Sequence, residues 1–81
     1  MSAEPLYLEI VHITDHYFGP VADRFVQRQI RNHLQIEPAE LKQADLPRLI
    51  SWIRATLSVV TDDDQLINDY LEKLKGLANR G

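Results

Sequence analysis

His12 and His16 stand four residues apart, the spacing that puts two imidazoles on one face of a helix and lets them grip a Zn²⁺ ion. Glu9 and Asp15 lie close by in the chain. The pattern lacks the glutamate that directly follows the first histidine in helical zinc hydrolases, and no third ligand is fixed by spacing. His33 falls at the far end of the next helical segment, which in an antiparallel hairpin lies nearer the start of the first helix than His16 does. The three histidines therefore read as surface or boundary residues, and no metal site is expected. The run Thr61-Asp62-Asp63-Asp64 lacks the spaced acids, central glycine and terminal glutamate of a Ca²⁺ loop, so it reads as helix capping. No serine among Ser2, Ser51 and Ser58 sits in a G-x-S-x-G elbow, and the chain has no cysteine. Three glycines, Gly19, Gly76 and Gly81, cannot build a phosphate-cradling loop. The expectation is a non-enzymatic chain with no catalytic residue and no cofactor.

Binding chemistry is better represented. Arg24, Arg28 and Arg31 recur at helical spacing, and residues 20–35 hold three arginines against one aspartate in a chain whose net charge is −3. Such a face suits an acidic partner, phosphates or the anionic surface of a larger complex, or is a solvated face paired with Asp23 and Asp15. Trp52, with Ala55 and Val59, forms a shallow apolar stripe flanked by Arg48 and Thr56. Tryptophan and arginine are enriched at binding hot spots, although a tryptophan on a helix flank also serves as the lid of a small core. Tyr7 and Leu8 pose the same alternative on the first helix. Arg24, Arg28, Arg31, Arg48 and Trp52 are thus the candidate interaction residues, for an unidentified protein partner. If both apolar patches stay exposed, a homodimer or a heteromeric partner follows. Nucleic acid is disfavoured, because no helix-turn-helix pattern precedes the arginines and the remaining surface is acidic. A nucleic-acid or anionic-ligand role for the same arginines is the alternative function.

These side chains must be carried by helices, because apolar residues recur at helical periods and strand alternation is nearly absent. Leu6, Ile10, Ile13 and Tyr17 mark the first helix, near residues 3–18, with Ser2 as N-cap, Pro5 in its first turn and Glu4 at the positive end of its dipole. Val21, Ala22, Phe25, Val26, Ile30 and Leu34 mark the second, near 20–34. Pro38 forces Glu37 to be extended and starts a short helical turn near 38–41. Asp45 is the expected cap of a third helix near 46–60, whose core face is Leu46, Leu49, Ile50, Ile53, Leu57 and Val60. Thr61 caps a fourth near 62–78, with Asp64 as the capping-box acid and Gly76 loosening the last turn. Leu66, Ile67, Tyr70, Leu71, Leu74 and Leu77 form its buried face. The fold class is all-α, a compact four-helix bundle or orthogonal helical array, with residues 1–81 as one domain.

The corner between the first two helices carries the most specific motif, Tyr17-Phe18-Gly19-Pro20-Val21-Ala22-Asp23-Arg24-Phe25-Val26-Gln27-Arg28-Gln29. Physically, Gly19 permits a tight turn in the left-handed region, Pro20 presets the entry dihedral of the next helix, and small Ala22 allows close helix approach. The segment also resembles small helical domains with the pattern Y-x-G-P-x-A-x-x-x-(V/I)-x-R, which recur at the ends of bacterial signalling proteins and as short stand-alone proteins. Looser echoes at Leu34–Leu41 and Ala44–Leu49 extend the likeness over roughly residues 10–78. The resemblance implies an accessory, regulatory helical module, and it carries over no catalytic residue. Two other small acidic helical families fit poorly. An acyl carrier protein needs Asp-Ser-Leu where this chain has Ala44-Asp45-Leu46, and neither His16 nor His33 has the surroundings of a phosphotransfer histidine.

Composition sets the remaining bounds. Hydrophobic residues at 44% and charged residues at 26% are globular values, and 81 residues support one modest core with little room for an enclosed pocket. The absence of cysteine excludes disulfides and thiolate metal sites and suits a reducing, cytoplasmic setting. No apolar run approaches the ~20 residues of a membrane helix, and the first residues lack the basic and apolar regions of a signal peptide, so no membrane insertion is expected.

Overall fold

The computed structural model describes residues 5–79 and contains four α-helices: α1 (Leu6–Phe18), α2 (Ala22–Gln29), α3 (Leu46–Val60) and α4 (Asp64–Ala78). The Cα radius of gyration is 11.9 Å, close to the ~11.7 Å expected of a compact 81-residue chain. α1 packs against α2 and α4, and α4 also packs against α3. α3 leans on the end of the second helical segment, so each helix touches its sequence neighbour and α1 closes the array against α4.

The expected start of α1 at residue 3, its cap at Ser2 and the dipole role of Glu4 lie outside the described residues. Within them, Pro5 is extended (φ −54°, ψ 143°) and the helix begins at Leu6, so Pro5 precedes the first turn rather than occupying it. At the other end Gly19 has φ 78° and ψ −155°. The positive φ is as expected, but the ψ lies far from the left-handed helical value, in a region open essentially to glycine alone. Pro20 then sits in a 3-10 turn over Gly19–Val21, closed by the Ala22 N–H on the Gly19 carbonyl. Ala22, the first residue of α2, is buried.

The second segment is not one uniform α-helix over 20–34. It tightens to 3-10 geometry at Gly19–Val21, runs as α2, and widens to a π turn at Ile30–Leu34 before Gln35 adopts the left-handed conformation (φ 58°, ψ 37°). Ala22, Val26, Ile30 and Leu34 are buried as expected, Phe25 is half-buried, and Val21 is 63% exposed. The 3-10 turn takes Val21 out of the register that would have pointed it inward.

Glu37 is extended before a 3-10 turn at Pro38–Glu40, and the Glu40 carboxylate accepts the Glu37 N–H at 2.9 Å. Asp45 does not cap α3. Its own backbone is already helical (φ −83°, ψ −15°), and its carboxylate reaches back to the Lys42 N–H at 3.0 Å, capping the 3-10 turn Gln43–Asp45 instead. α3 buries Leu46, Leu49, Ile50, Ile53 and Leu57, but Val60 is 70% exposed because it lies past the last core layer. α4 begins two residues later than expected. Asp63 is its N-cap, accepting the Leu66 N–H at 3.1 Å, while the Thr61 hydroxyl accepts the Asp63 N–H at 3.1 Å. The helix continues through Gly76 to Ala78, where the Gln43 side-chain amide donates to the Leu77 carbonyl and satisfies a group that the helix end would leave open.

One polar pair is sealed in the core. Thr14 and Tyr70 are both 0% exposed. The Thr14 hydroxyl donates to the Ile10 carbonyl at 2.7 Å, so the Tyr70 hydroxyl 2.6 Å away must be the donor in its contact with Thr14. The Tyr70 ring is held between Tyr17 and Phe18, with centroids 5.5 and 5.2 Å away. Burial pushes the Tyr70 hydroxyl up to about 12.

Candidate docking surface on α2 and α3

α2 and α3 contact each other sparingly, and the outer flanks of the two form a groove of about 430 Å³. Val21, Arg24, Phe25 and Arg28 supply one wall, and Thr56 and Val60 the other. Across its floor the Thr56 hydroxyl donates to the Gln29 side-chain oxygen at 3.3 Å. Gln29 is buried, so this bond settles a side chain that would otherwise be costly to place there. Further along the two segments His33 lies parallel to Trp52, with ring centroids 4.2 Å apart and planes 7° from parallel. Sequence spacing left His33 as an ordinary boundary residue; its contact with Trp52 joins α3 to the π turn.

The large apolar side chains exposed among the described residues are Val21, Trp52, Val59 and Val60. All four belong to this side of the molecule. Val21 and Val60 line the groove, and Trp52, Thr56 and Val59 follow one another at helical spacing along α3. Val21 and Val60 were expected in the core. Val60 extends its stripe past the last core layer and the 3-10 turn carries Val21 out of register, and periodicity alone marks neither. Trp52 is 44% exposed, so it both covers His33 and faces solvent.

The arginines divide. Arg31 meets Glu37 at 3.3 Å, an exposed ion pair of small energetic weight. Arg24 and Arg28 make no ion pair among the described residues and line the groove, and with Arg31 they line a second depression of about 430 Å³ on the outer side of α2. Asp23 accepts the Gln27 side-chain amide at 2.7 Å and makes no ion pair with Arg24 or Arg28 among the described residues. Arg48 is exposed one turn before Trp52 on α3. Arg24, Arg28 and Arg31 thus come together on the outer side of α2, while Trp52 stacks on His33 further along α3 with Arg48 one turn before it.

The first helix presents different chemistry. His12 and His16 are exposed beside Lys73 of α4, and His16 stands edge-on to Tyr17 at 5.4 Å. No group of three His, Cys, Asp or Glu side chains that could hold a metal occurs among the described residues. Tyr7 and Leu8 are half-buried, with Tyr7 packed against the core. Among the described residues no helix is long and apolar enough to cross a membrane. Comparison with protein-family models, with curated proteins and with solved structures finds no match to this chain.

Proposed function

We propose that this chain is a non-enzymatic protein-interaction module, regulatory or adaptor in kind, that docks a protein through the α2/α3 face. One observation carries the reading: the exposed side chains of Val21 and Val60 line a groove beside Arg24 and Arg28, which make no ion pair among the described residues. Apolar anchors beside unpaired guanidinium groups are the composition of binding hot spots rather than of ordinary solvated surface. The likeness of Tyr17–Arg28 to helical appendages of bacterial signalling proteins supports a place in a cytoplasmic signalling or assembly pathway. Affinity capture from the native cell, comparing wild type with Arg28→Glu and Trp52→Ala, tests it. Loss of the same specific protein from both variants is expected, and an unchanged set of captured proteins would overturn the reading.

A second reading uses Arg24 and Arg28 for a phosphate-bearing ligand, favoured by their position on two adjoining depressions. Fluorescence anisotropy with duplex and single-stranded probes separates the two. Phosphate contacts weaken steeply as salt rises, whereas an interface centred on Trp52 responds little. Retained probe binding at roughly 0.15 M salt would favour the second reading.

A further inference from the structure

We propose that a second copy of this chain occupies the Val21–Val59–Val60 end of the face, in a two-fold dimer where Arg24 and Arg28 of each protomer meet Asp62 and Asp64 of the other. The inference rests on the interaction reading above and names the occupant. Val21, Val59 and Val60 are 63%, 86% and 70% exposed, an apolar centre at the junction of α2, the end of α3 and the start of α4. Arg24 and Arg28 border that centre on the α2 side. Asp62 and Asp64 lie at its other end in the chain, two and four residues beyond Val60 at the start of α4. Both acids are exposed and neither forms an ion pair among the described residues, while Asp63 between them is committed to capping the Leu66 N–H.

A two-fold interface requires that if residue i meets residue j, then j meets i. A patch of one sign cannot satisfy that rule without repulsion. A patch with a basic edge, an apolar middle and an acidic edge satisfies it with its own image, and here two arginines balance two aspartates. The same acids weigh against the other occupants. An acidic peptide or a nucleic acid lying over Val60 would reach Arg24 and Arg28 only by passing beside the carboxylates of Asp62 and Asp64. A second copy meets no such conflict.

Sedimentation equilibrium across concentrations up to about 1 mM, the weak end of specific association, is the test. The wild-type mass is expected to climb from 9.4 kDa toward twice that value. Arg24→Glu/Arg28→Glu and, separately, Asp62→Lys/Asp64→Lys each place like charges opposite one another and should weaken self-association about tenfold or more. An equimolar mixture of the two variants restores opposite charges at both contacts and should associate as wild type does. That rescue cannot come from misfolded chains, and Val59→Asp, at a site 86% exposed, gives an independent disruption of the apolar centre. A wild-type chain that stays at 9.4 kDa throughout overturns the dimer. So does association that survives all three variants, or a mixture that fails to recover. If the chain is monomeric yet Arg28→Glu still loses its captured partner, the dimer falls and the adaptor reading stands; a dimer with unchanged capture reverses that outcome.

Discussion

Replacing Thr14 by valine keeps the volume and branching of the side chain and removes only its hydroxyl. In the wild-type core that hydroxyl donates to the Ile10 carbonyl and accepts from Tyr70. The Ile10 carbonyl loses little, because the backbone N–H of the following turn still bonds it. Tyr70 loses its acceptor while 0% exposed, and no buried side-chain polar atom among the described residues now lacks a partner. Thr14→Val would strand one. A buried donor left unsatisfied costs about 1–3 kcal/mol, against a total stability of roughly 4–12 kcal/mol for a domain this size. The melting temperature should fall by ~4–8 °C for each kcal/mol. Tyr70→Phe should cost less, about 0.5–1.5 kcal/mol, because Thr14 keeps its bond to Ile10. The double variant Thr14→Val/Tyr70→Phe should be no worse than Tyr70→Phe by more than a few tenths, since no stranded hydroxyl remains. Urea unfolding of the four proteins gives the coupling energy directly. Additive costs, or Thr14→Val within ~0.5 kcal/mol of wild type, would refute the assignment of a sealed hydroxyl pair.

The same tyrosine predicts an alkaline weakness. Its hydroxyl is pushed up to about 12 in the folded chain, from the ordinary 10.0. Below pH ~10 both states keep the proton and stability is whole; above it the unfolded chain releases the proton first, so stability falls by ~1.4 kcal/mol per pH unit until the folded value is reached. Comparing urea midpoints at about pH 8 and pH 11 for wild type and Tyr70→Phe checks this, with the variant lacking that component of the loss. Gly19→Ala should cost about 1–3 kcal/mol although a Cβ there meets nothing within 4 Å, because the whole penalty lies in the backbone; an unchanged thermal midpoint would contradict it. Asp63→Ala removes the cap on the Leu66 N–H and should cost about 0.5–2 kcal/mol, whereas Asp62→Ala should stay within ~0.5 kcal/mol of wild type in the same melts.

Periodic burial was legible from residue types alone. Leu46, Leu49, Ile50, Ile53 and Leu57 recur every three or four residues, and burial follows that rhythm because one helix face must meet the core. Caps were legible as regions and not as residues. Thr61, Asp62, Asp63 and Asp64 are all able to cap, and which one does so depends on where the chain turns after Val60. Asp45 illustrates the same competition, for it had a nearer backbone donor at Lys42 than any in α3. Thr14 with Tyr70, Gln29 with Thr56 and His33 with Trp52 were hidden for another reason. Each pairs residues far apart in the chain, and neither member carries a local signal of its partner. Arg24 and Arg28 stood out in the sequence as a basic stripe, and only the packing of α2 beside α3 sets Thr56 and Val60 against it.

The way the helices pair also sets a clock. α1 meets α2 across the Gly19 corner and α3 meets α4 across the short junction of residues 61–63, so most contacts form between stretches close in sequence. Closing such short connections costs little chain entropy, and chains dominated by local contacts fold in microseconds to milliseconds. The helix pair most widely separated in sequence, and so the last to close, is α1 against α4, where Thr14 and Tyr70 are 56 residues apart. Substitutions at that seam should chiefly speed unfolding, and those at the two hairpin corners should slow folding.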